Sequence, residues 1–249
     1  MPFYLQHYSW IDEILAIVTP GHDKTIAILE KDPRVTVKVV EFPNGLDDIL
    51  KVTLLNEAIK DGKDDSTWQF VVDADEFVWP AGMPVICSYA VVRAYLKIIP
   101  QEVDHLVAKM WNVYRRYDDK DLDVNNTPVI MQRRHGISHR YTSGDLVRLC
   151  NKPCIRRTNS NVSYTPGQHY IFYKEFNDCQ INHRSPWWFD GVHWSMADPV
   201  FCLKRRIQDR TERISKENQI RGLGGHFKGL NYAKVAQECV THANDPQCF

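Results

Sequence analysis

The first eighty residues alternate short apolar runs with stretches of helical spacing. Glu13 to Val18 is a short, mostly apolar run and predicts a strand. Thr19-Pro20-Gly21 is a turn. His22 to Lys31, with Ile26, Ile28 and Leu29 as its apolar residues, predicts a helix that Asp32-Pro33 stops. Val35 to Val40 is strongly β-branched and predicts a second strand, broken by Pro43-Asn44-Gly45. Leu46 to Lys60 places Leu46, Ile49, Leu50, Leu54, Leu55, Ala58 and Ile59 near helical spacing, and Asp61-Gly62 closes that helix. Trp68 to Val72 reads as a buried strand. The order β-α-β-α-β predicts right-handed crossovers and a parallel sheet covered by helices.

Further on, Pro84 to Ile99 predicts a helix ending before Pro100, and His105 to Tyr114 a strand. Residues 115–160 are less regular and rich in arginine. Short β segments are expected near 161–164, 169–173, 180–183 and 191–194. Asp198-Pro199 opens a helix to about Gln219, with Asp as N-cap and Pro at the first helical position. Gly222, Gly224 and Gly225 end it. With no internal repeat and no low-complexity linker, residues 1–249 read as a single domain.

Composition adds limits. The chain has 249 residues, with 43% hydrophobic and 25% charged side chains, which suits a folded core. Lys plus Arg equals Asp plus Glu, 31 each. Residues 1–80 carry 7 basic and 15 acidic side chains; residues 81–249 carry 24 and 16. A nucleic-acid binder would be basic overall, so no nucleic-acid partner is expected. An acidic half facing a basic half suits a site holding a metal beside an anion. The seven cysteines lack a CxxC pair, and Cys150 and Cys154 have no second pair to complete a zinc site. Reduced thiols, no long apolar run and no signal-peptide pattern lead us to expect a soluble, cytoplasmic protein without a transmembrane segment.

Chemistry concentrates at Val71-Val72-Asp73-Ala74-Asp75-Glu76-Phe77, where an apolar strand runs into three carboxylates. In an extended chain Asp73 and Asp75 project to one side. Ligands of open parallel sheets bind beyond the carboxyl ends of the strands. Paired carboxylates there call for a cation, and hard oxygen ligands suit Mg²⁺ or Mn²⁺. A solvated acidic turn is the alternative.

Asn56-Glu57-Ala58-Ile59 followed by Val72-Asp73-Ala74-Asp75-Glu76-Phe77 resembles the GT-A glycosyltransferases of the family 2-like group, which includes enzymes of surface-polysaccharide synthesis. Tyr4-Leu5-Gln6-His7-Tyr8, Ile11-Asp12-Glu13-Ile14 and Asp23-Lys24-Thr25 are similar to its opening elements. Thr165-Pro166-Gly167-Gln168-His169 and Gly191-Val192-His193-Trp194-Ser195-Met196-Ala197-Asp198 are similar to its C-terminal signatures. The resemblance covers most of residues 3–225. It implies an α/β fold of GT-A type, a Rossmann-like and mostly parallel sheet flanked by helices, with a small β-rich C-terminal part and a terminal helix. Residues 1–100 would form the nucleotide- and metal-binding half, 101–225 the acceptor side and 226–249 a tail. It further implies a nucleoside-diphosphate sugar donor, a glycan or polysaccharide-precursor acceptor, and Mn²⁺ or Mg²⁺ on Asp75, with Asp73 on the ribose or the metal and His193 as third protein ligand. Asp23, Lys51, Asp73 and His169 would bind the donor. His193 also reads as a hydrogen-bonded core residue.

The resemblance has two departures. Family members carry a strand before the helix that here begins at Phe3, and many carry a base-reading Asp where this chain has Val18. We therefore expect either an N-terminally shortened form or an altered nucleotide pocket. Three readings follow: a glycosyltransferase, a non-catalytic nucleotide- or glycan-binding relative, and a metal-dependent nucleotidyltransferase. Trp187 and Trp188 are candidates to stack on an acceptor sugar, or to pack in the core. Asp190 is the candidate catalytic base, with Asp198 and Asp145 as rivals, and Asp198 better suited to a helix cap. The basic segment from Lys204 to Arg221 reads as a solvated helix face or a peripheral contact with an anionic membrane.

Overall fold

The computed structural model describes residues 1–21, 23–60, 68–116, 118–123, 126–133, 135–137, 151–168, 171–173, 178–180, 186–198 and 214–221. The fold is mixed α/β. A short helix α1 (Pro2–His7) precedes strand β1 (Ile14–Val18), helix α2 (Thr25–Leu29) and strand β2 (Val35–Val39). Helix α3 (Asp48–Lys60), strands β3 (Trp68–Phe70) and β4 (Glu76–Pro80), helix α4 (Tyr89–Lys97) and strand β5 (His105–Tyr114) follow. The rest comprises β6 (Gly136–Ile137), β7 (Asn151–Arg157), β8 (Val162–Tyr164), β9 (Ile171–Tyr173), β10 (Asp178–Gln180), β11 (Trp188–Met196) and a short helix α5 (Lys216–Ile220).

β1 and β2 pair in parallel across the α2 crossover, as the β-α-β order predicts. The expected mostly parallel sheet does not extend beyond them. β3 leaves that pair and joins a six-stranded sheet in the order β3-β7-β5-β11-β4, with β6 alongside β5. In that sheet only β5 and β11 run parallel; the other pairings are antiparallel. The reason lies in β4, which the sequence reading missed. Its five buried residues pair antiparallel with β11 at the end of the sheet opposite β3, and β7 runs antiparallel between β3 and β5. A second, three-stranded sheet has the order β10-β9-β8, while β7 and β11 belong to the larger sheet.

The main core gathers Phe77, Val78, Trp79, Leu106, Ala108, Met110, Ile155, Phe189 and Val192 from the six-stranded sheet, with Tyr8, Trp10, Val92, Tyr95 and Ile99 packed on it. Ser88 caps α4 by accepting the Val91 N–H. Gly191 lets three strands close up: a Cβ there would lie 2.5 Å from Met110 Sδ and 3.1 Å from the Phe77 carbonyl oxygen. A smaller core joins Val52 and Ile59 of α3 to Val71, Val162, Tyr164 and Ile171. Asn56 fixes that contact, donating to the Tyr164 carbonyl at 2.9 Å and accepting the Tyr164 N–H at 2.8 Å.

β4 is an edge strand, and α1 covers its outer side. The Tyr8 hydroxyl donates to the Glu76 carbonyl at 2.9 Å and accepts the Val78 N–H at 3.2 Å. His7 Nε2 donates to the Val78 carbonyl at 3.0 Å. These side chains take the bonds a neighbouring strand would make. Arg34 then ties β2 to the end of α1 through the carbonyls of Leu5, Tyr8 and Ile11.

The long helix expected from Asp198 to Gln219 is not continuous. Residues 199–213 lie outside the described residues, but Ile214 bridges Leu46 as extended chain, and Ser215 starts a new helix by capping Asn218 N–H. Among the described residues no helix is long and apolar enough to cross a membrane.

Candidate functional site

The turn Asp73-Ala74-Asp75-Glu76 links β3 to β4 and is closed on itself. The Glu76 N–H donates to the Asp73 carbonyl at 3.0 Å, and the Asp73 N–H donates to Glu76 Oε2 at 2.9 Å. The Asp75 carbonyl accepts the Trp194 N–H of β11 at 2.8 Å. Pairing then sets the neighbours. Glu76 lies opposite His193, and His193 opposite Asn112, so their side chains share one face across β4, β11 and β5. Lys152, opposite Ala108, brings an ammonium to that face from β7.

Two charge groupings result. Glu76, fully buried, is paired with Lys152, itself buried. Asp73 accepts from Lys51 Nζ of α3 at 2.9 Å and lies 3.5 Å from Lys152 Nζ. Burial pushes the Asp73 carboxyl upward, but the two lysines outweigh it and hold it well below the usual carboxylate range. Burial likewise opposes the charge of Lys152, yet Glu76 and Asp73 raise its pKa. Burial, followed by the three carboxylates, raises the pKa of Tyr4, so its phenol stays protonated. Burial and then Glu76 push the Cys154 thiol up to about 12.

The second grouping is Asp75 with His193. Nε2 of His193 lies 3.3 Å from Asp75 Oδ2, and Nδ1 lies 3.0 Å from Asn112 Oδ1. An amide oxygen accepts, so Nδ1 of His193 donates to Asn112, which turns Nε2 toward the Asp75 carboxylate. A proton on Nε2 or a bound cation can bridge the two groups. The pair is accessible, with His193 25% and Asp75 17% exposed. A side-chain oxygen that orients an imidazole in this way is a recurring support for a metal-binding histidine.

The predicted ligands Asp75 and His193 are thus brought together, while Asp73 is drawn toward Lys51 and Lys152. Among the described residues no three His, Cys, Asp or Glu side chains converge to hold an ion. The donor set still suits Mg²⁺ or Mn²⁺, which bind through one or two protein ligands plus substrate phosphates.

Asp190 does not join this cluster. It sits three residues before His193 in a regularly paired stretch of strand, so it points to the opposite face. Its carboxylate accepts from Gly82 N–H and Trp188 Nε1, both at 3.3 Å. Trp188 lies on that face too, with Lys109 Nζ 3.5 Å from its ring centroid, and Trp187 packs edge-on against Tyr95. Asp23 accepts the Thr25 N–H at 2.8 Å at the start of α2. Asp198 is half-buried at the end of the β11 segment, and its field acts on the buried Arg133. His169 and Asp145 lie outside the described residues.

Sequence reasoning missed Lys152 and Asn112 as parts of the site. Lys152 had one signal: it alternates with Cys154 on β7, and the next inward position of a buried strand seldom carries an unpaired ammonium. Asn112 had none beyond its place within a predicted strand. No family model, no curated protein and no solved structure matches this chain.

Proposed function

We propose that the protein is a glycosyltransferase that moves a sugar from a nucleoside-diphosphate donor to a hydroxyl of a glycan or polysaccharide precursor. The reading takes Mn²⁺ or Mg²⁺ as its cofactor. The observation that carries it is the Asp75–His193 pair, with the imidazole braced by Asn112. Asp75 and His193 would hold the ion, and Asp73 would complete the set. A divalent ion bound there neutralises charge on a leaving diphosphate. Lys51, 41% exposed, would hold a phosphate oxygen. Lys152 stays with Glu76 and keeps the acidic turn in shape. Asp190 has no part in this reading, because it faces away. A cytoplasmic setting belongs to the proposal and accords with the free thiols Cys87 and Cys154.

One observation favours a second reading, a relative that binds without turnover: Asp73 is already paired with lysine. A panel of nucleotide sugars with Mn²⁺ separates the two. Slow release of nucleoside diphosphate supports the transferase, and binding without release supports the binding protein. Pyrophosphate made from a nucleotide and a sugar phosphate would instead point to a nucleotidyltransferase. In the transferase, Asp75→Asn should lower turnover by about 100-fold or more with little change in melting temperature. Full turnover in that variant would remove Asp75 from the site.

A further inference from the structure

We propose that Lys51 makes cation binding and diphosphate binding interdependent, by occupying Asp73 until an anion draws it away. The inference rests on the cation and diphosphate reading above and adds an order to it. Lys51 stands in the first turns of α3, and its ammonium meets Asp73 Oδ1 at 2.9 Å. The two side chains are 41% and 30% exposed, so the contact opens to solvent and is exchangeable. Lys152 is different. It is buried against a fully buried Glu76 and has no freedom to leave it.

The backbone around Lys51 is held firmly. Asp47 accepts the N–H groups of Ile49 and Leu50 at 2.9 and 3.0 Å, which satisfies the start of α3. Asn218 of α5 accepts the Asp48 N–H and donates to the Leu46 carbonyl. The helix is therefore fixed and its first N–H groups are spoken for. What can move is the four-carbon arm of Lys51.

Charge fixes the direction of the coupling. Asp73 and Glu76 meet Lys51 and Lys152 while Asp75 lies against His193, so the turn carries one more carboxylate than ammonium. A divalent cation arriving alone meets two ammonium groups and finds Asp73 taken. A diphosphate arriving alone meets three carboxylates. When both arrive, the anion offers Lys51 a new partner and Asp73 turns to the cation. Each ligand then relieves the repulsion met by the other, which is a positive coupling and must be reciprocal.

The test uses the full chain with Mn²⁺ alone and with inorganic pyrophosphate alone, each followed by titration calorimetry. Lys51→Met should bind Mn²⁺ about fivefold tighter than the unaltered protein and pyrophosphate about fivefold more weakly. Lys51→Arg should behave as the unaltered protein, and melting temperatures should agree among the three. Opposite shifts of that kind are beyond a merely structural lysine. Lys51→Gln repeats the test with a neutral polar arm. If Mn²⁺ affinity is unchanged in Lys51→Met while Asp75→Asn abolishes Mn²⁺ binding, the cation site stands and the role given to Lys51 falls. Failure of Mn²⁺ to bind any of these proteins, with or without pyrophosphate, overturns both.

Discussion

The β1–β2 pair leaves Leu15 and Val39 about half exposed, whereas Val78, Leu106, Ile155, Phe189 and Val192 of the six-stranded sheet are fully buried. The first region is local: its strands pair across a single short crossover. The second joins strands more than a hundred residues apart, such as β4 with β11. It also buries charge, at Glu76 and Lys152. A parallel pair this open is unusual, since parallel strands are normally covered on both faces. The contrast teaches where the fold spends its buried surface. The sheet that holds the acidic turn buries its central strands, and the sheet that the opening sequence advertises most clearly is the more open of the two.

The contrast is broken most sharply at Lys152. Lys152→Met leaves Glu76 buried without a counter-charge and should cost about 3–5 kcal/mol in chemical denaturation. Adding Glu76→Leu should recover much of that loss. A single variant that costs under about 1 kcal/mol would show that the buried pair is not what holds this face together.

The covered edge gives a smaller, pH-dependent effect. Burial lowers the His7 pKa to about 4, partly offset by its bond to the Val78 carbonyl, and its Nδ1 has no partner. The unfolded chain takes up that proton near pH 6.5, before the folded one does. The stabilising contribution is thus full above about pH 6.5 and is lost as pH falls toward and through about 4, by on the order of 3 kcal/mol. His7→Gln keeps a donor for the Val78 carbonyl and should flatten the stability difference between pH 7 and pH 4. Parallel curves for the two proteins would assign the acid sensitivity elsewhere.

The β1–β2 pair should be nearly indifferent. Leu15→Thr and Val39→Thr each keep a β-tolerant side chain and remove exposed apolar surface, so stability should stay within about 0.5 kcal/mol. A loss above 2 kcal/mol for either would mean that this face is covered in solution.

Much of the chain's local structure was legible. The strand predicted at His105–Tyr114 has those bounds, and the β-branched run at Val35 and the helix ending at Lys60 stand close to where the pattern put them. Pairing was not legible, because the apolar run of β3 reads the same beside a parallel or an antiparallel neighbour. β4 escaped because it opens on Glu76, and a carboxylate argues for a turn until a buried lysine is known to meet it. The helix start at Ser215 escaped for a similar reason: helical spacing in the sequence on either side hid a serine cap. At the site, the paired aspartates and His193 could be read from spacing and resemblance. Lys51 of α3 was read through the resemblance as a donor contact, whereas Lys152, the charge partner from β7, was not read at all. Asp190 was misplaced relative to His193 because a three-residue separation on a strand changes face, which depends on the strand being regular there.

The outer rim of β4 carries a last consequence, for how molecules of this protein meet one another. An open strand of five buried residues would be a template on which a second copy could propagate by backbone bonding. Here the polar groups of Glu76 and Val78 are already engaged by a phenol and an imidazole from the opening helix. A newcomer would have to evict both rings, and the aromatic cluster of Tyr4, Tyr8 and Phe77 with them. The first ten residues thus serve as a stopper against fibre-like stacking along the sheet that bears the acidic turn.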